Sequence, residues 1–257
     1  MLRRRLASTS LVAGFLIASF GFAAAAPRAL LELFTSQGCS SCPPADKLLG
    51  EFAKDFAKDP SLVALSLPIN IWDYLGWKDT LALPAHSARQ RAYARMGGNW
   101  QIYTPQIVVN GARDVLGSDR AAIERVIALT DRNPAIMSVP VQVSAAAGDL
   151  KISVKAAPGG HATGEVWLLP VASAIAVAIR SGENRGRTIT YHNVVRGWLK
   201  LGDFGGTAST WSVPLSQIEN GRIDAAAVVV QEGSRAKPGI VLGAALTPLI
   251  EQTTETR

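Results

Sequence analysis

Cysteine is nearly absent from this chain: two residues in 257. A disulfide-stapled miniprotein is therefore excluded, since such scaffolds need several bridges to replace a core. Histidine is almost as scarce, and His86, His161 and His192 stand far apart. With one cysteine pair beside them, no four-ligand zinc set at short spacing can be assembled, so no metal is expected. Charged residues make up only 18% of the chain and aromatic ones 7%. Three of the basic residues, Arg3, Arg4 and Arg5, sit at the extreme N-terminus, and without them the formal charge falls from +6 to +3. That balance, with no Lys/Arg-rich run, gives no reason to expect nucleic acid as a partner. Beyond the N-terminus no stretch reaches the ~18 uninterrupted apolar residues of a membrane span. What is present, 48% hydrophobic residues, is enough for a packed core and excludes a disordered or collagen-like chain.

The first 26 residues read as an export signal. Arg3–Arg5 form a positive start, residues 11–22 an apolar stretch interrupted by Gly14, and Ala24-Ala25-Ala26 a small-residue cleavage site. The apolar part is shorter than the ~20 residues a spanning helix needs. An uncleaved anchor is the other reading of the same pattern. The expectation is a periplasmic or secreted protein with no membrane contact once cleaved near Ala26.

Export gives the cysteines a context. They form Cys39-Ser40-Ser41-Cys42, and a bridge closing so short a loop removes little unfolded-chain entropy, so structural stapling is a poor reason for it. Redox chemistry or part of a metal site is the better reading. Residues 30–34, Leu-Leu-Glu-Leu-Phe, form a short apolar run expected as a buried strand. Thr35 to Gly38 make a polar turn. Pro43 and Pro44 suit a first helical turn, where amide hydrogens lack partners anyway. Leu48, Leu49, Phe52, Ala53 and Phe56 then recur at helical spacing, with Asp46, Lys47, Glu51 and Lys54 assigned to the opposite, polar face. Cys39 thus falls where a strand turns into a helix, with backbone N–H groups directed at its sulfur, a geometry that favours thiolate over thiol. On this reading Cys39 is the exposed nucleophile and Cys42 sits inside the first turn.

A second apolar strand spans residues 62–67 and is closed by Pro68. Residues 69–103 follow as an insertion, with a helix expected from about His86 to Met96. Residues 107–116 read as a hairpin about Asn110-Gly111, and Ser118 or Asp119 caps a last helix carrying Ile123, Val126 and Ile127. This order, with its CxxC, resembles the thioredoxin fold over about residues 28–133. The resemblance implies that Thr104-Pro105 stands where that superfamily places its cis-proline, lying against the CxxC and pairing with a substrate chain. It also brings Glu32 close to where thioredoxins keep a buried acid for the resolving cysteine, although the spacing is one residue longer. Glu32 is either that base or one half of an ion pair with a lysine at the sheet edge, since an acid in an apolar strand requires a partner or a purpose. Here Ser-Ser stands between the cysteines rather than Gly-Pro, and no Trp precedes Cys39, so the direction of exchange is open. The block from Glu32 through Cys39, Cys42 and Pro44 to Asp46 is similar, more closely, to the opening of the DUF1223 family of exported bacterial proteins. Tyr103-Thr104-Pro105-Gln106 and Gly182-Glu183-Asn184-Arg185-Gly186-Arg187 resemble two later blocks of that family.

The insertion holds Trp72, Tyr74, Trp77, Tyr93, Trp100 and Tyr103. These form either a small aromatic core or an apolar rim beside the CxxC, with Trp72, Tyr74 and Trp100 as candidates to grip a peptide. Arg89, Arg91 and Arg95 are expected on a solvated face. From about Met137 short alternating runs separated by turn residues predict a β-sandwich of roughly seven strands. The expected architecture is an α/β thioredoxin-like domain over residues 27–134, with the insertion at 69–103, followed by an all-β, sandwich-like domain over 135–257. Residues 181–187 are a polar loop, either a charged hairpin tip or a route by which Arg185 or Arg187 reaches the CxxC cleft or holds an anion. Three functions fit these residues. One is thiol–disulfide exchange through Cys39 and Cys42 with a protein or small thiol/disulfide substrate and a redox partner, needing no cofactor. The others are a non-catalytic binding protein on the same scaffold and transfer of soft Cu(I).

Overall fold

The computed structural model describes residues 27–56, 61–98, 100–218 and 222–249. The expected export segment and its expected cleavage site lie outside the described residues. The described chain runs β1 (Ala29–Thr35), α1 (Pro43–Phe56), β2 (Leu62–Pro68), α2 (Pro84–Met96), β3 (Gln106–Val109), β4 (Arg113–Leu116) and α3 (Arg120–Thr130). Strands follow: β5 (Val141–Ala146), β6 (Asp149–Val154), β7 (Gly164–Ala178), β8 (Thr188–Val195), β9 (Leu199–Phe204), β10 (Ser209–Pro214), β11 (Ala225–Ser234) and β12 (Lys237–Pro248). No helix among the described residues is long and apolar enough to cross a membrane.

The local signals act as expected in the first half. β1 is buried along its whole length and pairs with β2 in parallel and with β3 antiparallel. Asn110 and Gly111 both adopt positive φ, 54° and 65°, which lets the β3–β4 hairpin reverse. Asp119, not Ser118, caps α3, its Oδ1 accepting from the Ala122 N–H at 2.9 Å. Alternation along β1 splits its side chains between two layers. Ala29, Leu31 and Leu33 pack with Leu48, Leu49 and Phe52 of α1 and Ile123 and Ile127 of α3. Leu30 and Phe34 face the other way, towards Tyr93 of α2.

The second half departs from the expected separate sandwich. A single nine-stranded sheet runs β12-β11-β7-β8-β2-β1-β3-β4, with β9 also on β7, so strands from both sides of residue 134 share one ladder. Residues 164–178, in place of short separate runs, form one 15-residue strand, β7, which continues through Pro170. Its first part pairs with β11 and β9, its last part with β8, and β8 meets β2 in parallel at Ser66↔Val194. One apolar cluster accordingly joins Phe34, Val63, Leu65 and Tyr93 to Trp167, Leu169, Val229 and Val241. The sandwich character survives locally: the small sheet β10-β6-β5 covers the outer face of β7, β11 and β12 through Leu150, Ile152, Val166, Val228 and Leu242.

Candidate functional site

Cys39 and Cys42 are joined in a disulfide with their Cα atoms 5.4 Å apart, at the turn between β1 and α1. The turn is held from several sides. Cys39 N–H donates to the Ser36 carbonyl at 3.1 Å, and the Cys42 carbonyl accepts from Ala45 and Asp46 as α1 begins. Gln37 is fully buried. Its N–H donates to Asp79 at 2.8 Å, its Oε1 accepts from Trp77 Nε1 at 2.8 Å, and its Nε2 donates to Thr80 at 3.1 Å. Gly38 is closely packed: a Cβ there would lie 3.0 Å from the Trp72 Cβ and 3.1 Å from its carbonyl oxygen, so the tryptophan would have to give way.

Cys39 is not the exposed thiol that was expected. It is 3% exposed and Cys42 0%, while Ser40 and Ser41 take the surface positions. The polar contact on Cys39 Sγ is the Ser41 hydroxyl at 3.4 Å; the Cys42 N–H donates instead to the Cys39 carbonyl.

Thr104-Pro105 is a cis peptide bond, and its loop is tied to the disulfide turn through Trp72. Trp72 Nε1 donates to the Thr104 hydroxyl at 2.7 Å, and the same tryptophan backs Gly38. A Cβ on Gly117 would come within 3.1 Å of the Pro105 Cβ and 3.3 Å of the Ala45 Cβ, so Pro105 and the first turn of α1 converge on that glycine. Tyr74 is exposed and stacks against Trp72 with ring centroids 5.9 Å apart. Trp100 is exposed too, but makes none of the contacts that tie Trp72 to the turn.

Glu32 is on the wrong face to serve Cys42. It points towards α2, the opposite layer from α1, and its carboxylate is occupied. Arg89 grips it through Nε at 2.6 Å and an Nη at 2.9 Å, and the Tyr93 hydroxyl donates to it at 2.6 Å. Gln231 of β11 completes the network, accepting from Arg89 at 2.8 Å and donating to Tyr93 at 2.9 Å. Glu32 is therefore neither a base near the disulfide nor paired with an edge lysine. Arg89 is buried rather than solvated because it neutralises Glu32 inside the core. Burial alone would lower its pKa, but Glu32 and Tyr93 raise it on balance.

The carboxyl that does share α1 with the cysteines is Asp46. It was placed on the polar face, yet it is 2% exposed and neither oxygen has a hydrogen-bond partner. Burial pushes its pKa up to about 8; the nearby Thr35 hydroxyl opposes the shift and Asp79 adds to it. The spacing carried this signal: Asp46 stands one turn after Cys42 and three residues before Leu49, on the buried side of the helix. Around it are further buried polar atoms without partners, the hydroxyls of Thr35 and Tyr191. Burial raises the Tyr191 pKa, and Asp46 and Asp79 raise it further.

The 181–187 loop does reach the disulfide turn, but not through its arginines. Asn184 is buried, and its amide donates to the carbonyls of Gln37 at 2.9 Å and Cys39 at 2.8 Å. Glu183 accepts from the Ser40 N–H at 3.2 Å. Arg185 and Arg187 are exposed. Sequence reasoning passed over Asn184 and Glu183 because nothing local says which side chain of a polar loop turns inward.

A family model for a protein of unknown function, DUF1223, matches residues 30–231, which includes the disulfide turn, the Thr104-Pro105 loop and the Asn184 loop. The chain belongs to the DUF1223 family. No curated protein matches this DUF1223 chain. Among solved structures it is similar to protein AGR_C_4864 from Agrobacterium tumefaciens, with TM-score 0.77 and 29% identity over 90% of this chain and 99% of that one. It also shares a fold with HBP35 of Porphyromonas gingivalis, with TM-score 0.62 and 14% identity over 90% of this chain and 79% of that one.

Proposed function

We propose that this DUF1223 protein is an exported thiol–disulfide oxidoreductase whose first half works as a thioredoxin-like unit. The observation that carries the reading is Asp46: a buried, unpartnered carboxyl one helical turn beyond Cys42, which a purely structural disulfide does not need. In the oxidised protein a thiolate of a dithiol substrate attacks Cys39 Sγ, a mixed disulfide forms, and Cys42 leaves as thiolate. Asp46, protonated at neutral pH by its burial, gives that thiolate a proton. The substrate's second thiolate then attacks its own sulfur of the mixed disulfide and expels Cys39 thiolate. Two electrons have passed from the substrate to the protein. The reverse sequence reduces a substrate disulfide, with Cys39 attacking, Cys42 resolving and Asp46 accepting the proton. The Thr104-Pro105 loop, Trp72 and Tyr74 offer a wall for the substrate chain beside Cys39. The enclosure of both sulfurs favours a second reading, a binding protein with an inert bridge.

Trapping separates the two. In its host, Cys42→Ser is expected to accumulate reducible mixed disulfides with other proteins through Cys39, and Cys39→Ser none, with the double substitution as the blank. An inert bridge gives no adducts from any of the three variants, and that outcome, with the variants folded and reduced, removes the oxidoreductase reading.

A further inference from the structure

β7 has an unused edge. β11 accompanies it only from Gly164 to Val171, because β11 begins at Ala225, opposite Val171. From Ala174 to Ala178, β7 is paired with β8 alone, and no described strand takes its other side. The Ile179 N–H and carbonyl both bond towards the β8 side, to Arg187 and Gly186, so by strand alternation the N–H groups of Ala176 and Ala178 face the open edge. An open edge of this kind is a template for another chain.

A cavity of about 630 Å³ lies along this edge, lined by Ile175 to Ala178 together with Leu81, Arg180, Arg196 and Arg222, and by no carboxylate. Arg180 and Arg222 are exposed and take part in no ion pair among the described residues. Arg196 is half-buried and fixed in place, one Nη donating to the Leu81 carbonyl at 2.8 Å. Arg180 follows one end of the open run. Arg222 stands by the other end, where Asp224, two residues on, holds Ser173 through its N–H and hydroxyl. Along an extended strand the ends of that run, Ala174 and Ala178, are about 13 Å apart at about 3.3 Å per residue. Guanidinium groups rooted at both ends suit carboxylates spaced along a chain better than one small anion.

We propose that the open edge of β7 binds an extended acidic polypeptide as an added strand. Main-chain hydrogen bonds to Ala176 and Ala178 supply the pairing, and Arg180, Arg196 and Arg222 select carboxylate side chains. The binding does not depend on thiol chemistry, but its position bears on it. Thr80, also in the cavity wall, bonds Gln37, and Arg180 leads directly into the loop whose Asn184 holds Cys39. A chain docked here is directed towards the disulfide turn.

The test is fluorescence anisotropy of the full chain with a labelled peptide of alternating Glu and Val, against the same peptide with Lys for Glu and against free glutarate as competitor. The acidic peptide is expected to bind, more weakly as salt rises, with the Lys peptide inert and glutarate unable to displace it at matched carboxylate concentration. Arg180→Ala and Arg222→Ala are each expected to weaken binding about tenfold, or about 1.4 kcal/mol. Ala176→Pro, which removes an edge N–H without touching the β8 ladder, should abolish it. If that variant does not fold, the two exposed arginines carry the test. No binding, equal binding of the Lys peptide, or unchanged affinity in both arginine variants overturns the proposal. Displacement by glutarate overturns strand addition in favour of a small-anion pocket. The Cys39→Ser, Cys42→Ser double variant should bind the peptide as the native chain does, so failure of the exchange chemistry and failure of this site are read separately.

Discussion

Two carboxyl groups are buried on opposite sides of the nine-stranded sheet, and they are treated in opposite ways. On the α2 face, Glu32 meets Arg89 in a two-pronged ion pair and also accepts from Tyr93. On the α1 face, Asp46 has no cation beside it and no well-formed hydrogen bond, with the Thr35 hydroxyl as the nearby group that eases its charge. Burying a carboxyl without a partner is costly, so Glu32 is met by a built network, while Asp46 is held neutral by its surroundings. The first arrangement locks two parts of the chain together. The second keeps a proton in store beside a disulfide.

That contrast predicts an order of effects. Removing the charge of Glu32 should do the most damage to stability. Glu32→Gln leaves Arg89 buried and uncompensated, and breaking such a pair costs about 3–5 kcal/mol. Urea unfolding should show that loss, while the rate of disulfide reduction of the folded fraction stays as it was. A loss below about 1 kcal/mol would mean that the network is not the tie described here.

Asp46→Asn should act in the other direction. The folded-state pKa of Asp46 lies above its ordinary value of 3.8, at about 8, so between those limits the folded protein holds a proton that the unfolded chain has released. Stability from this group is therefore full below about pH 4, falls as pH rises, and levels off above about 8. At neutral pH the native chain carries a penalty of up to about 4 kcal/mol, at roughly 1.36 kcal/mol per pH unit. Asn carries none. Unfolding curves of the two proteins should coincide near pH 4 and separate towards pH 8, with the variant the more stable. The variant should also lose the inflection near pH 8 in its thiol-exchange rate. Parallel curves across that range would show that Asp46 titrates normally.

The smallest effect is expected at Asn184. Asn184→Ala leaves the Gln37 carbonyl without its side-chain donor and the Cys39 carbonyl with the Cys42 N–H alone, a loss of about 1–3 kcal/mol. Its readout is access: small reductants should reach the disulfide faster, with little change in melting temperature relative to Glu32→Gln.

The strand, helix and hairpin signals around the cysteines were legible because each is local: the apolar run of β1, the prolines opening α1, the Asn110-Gly111 turn. Asp46 was legible in principle, since helical spacing puts it with Cys42 and Leu49, but its charge argued for the surface. The partners of Glu32 were not legible. Arg89 is 57 positions away, and Gln231 lies 138 positions from the Tyr93 it bonds. Pro170 is a residue that argues for a strand break, yet it sits within the long strand that joins both halves of the sheet. β12 carries Pro238, Gly239 and Gly243, residues that favour turns, although it forms the outer strand of the same sheet.

The disulfide is laid down early in the chain and enclosed by residues that follow much later. Asn184 bonds Cys39 across 145 positions, and β2 waits for Val194 of β8 to cover its free side. A chain that emerges N-terminus first therefore presents Cys39 and Cys42 in a bare turn, open to any oxidant, well before the residues that shelter them have been made. Forming the bridge and closing it in are events separated by most of the polypeptide's synthesis. Pairings between such distant segments are slow to form. Any interruption before Ser181 leaves two liabilities at once: an exposed CxxC and an open strand edge beside it, ready to pair with another chain.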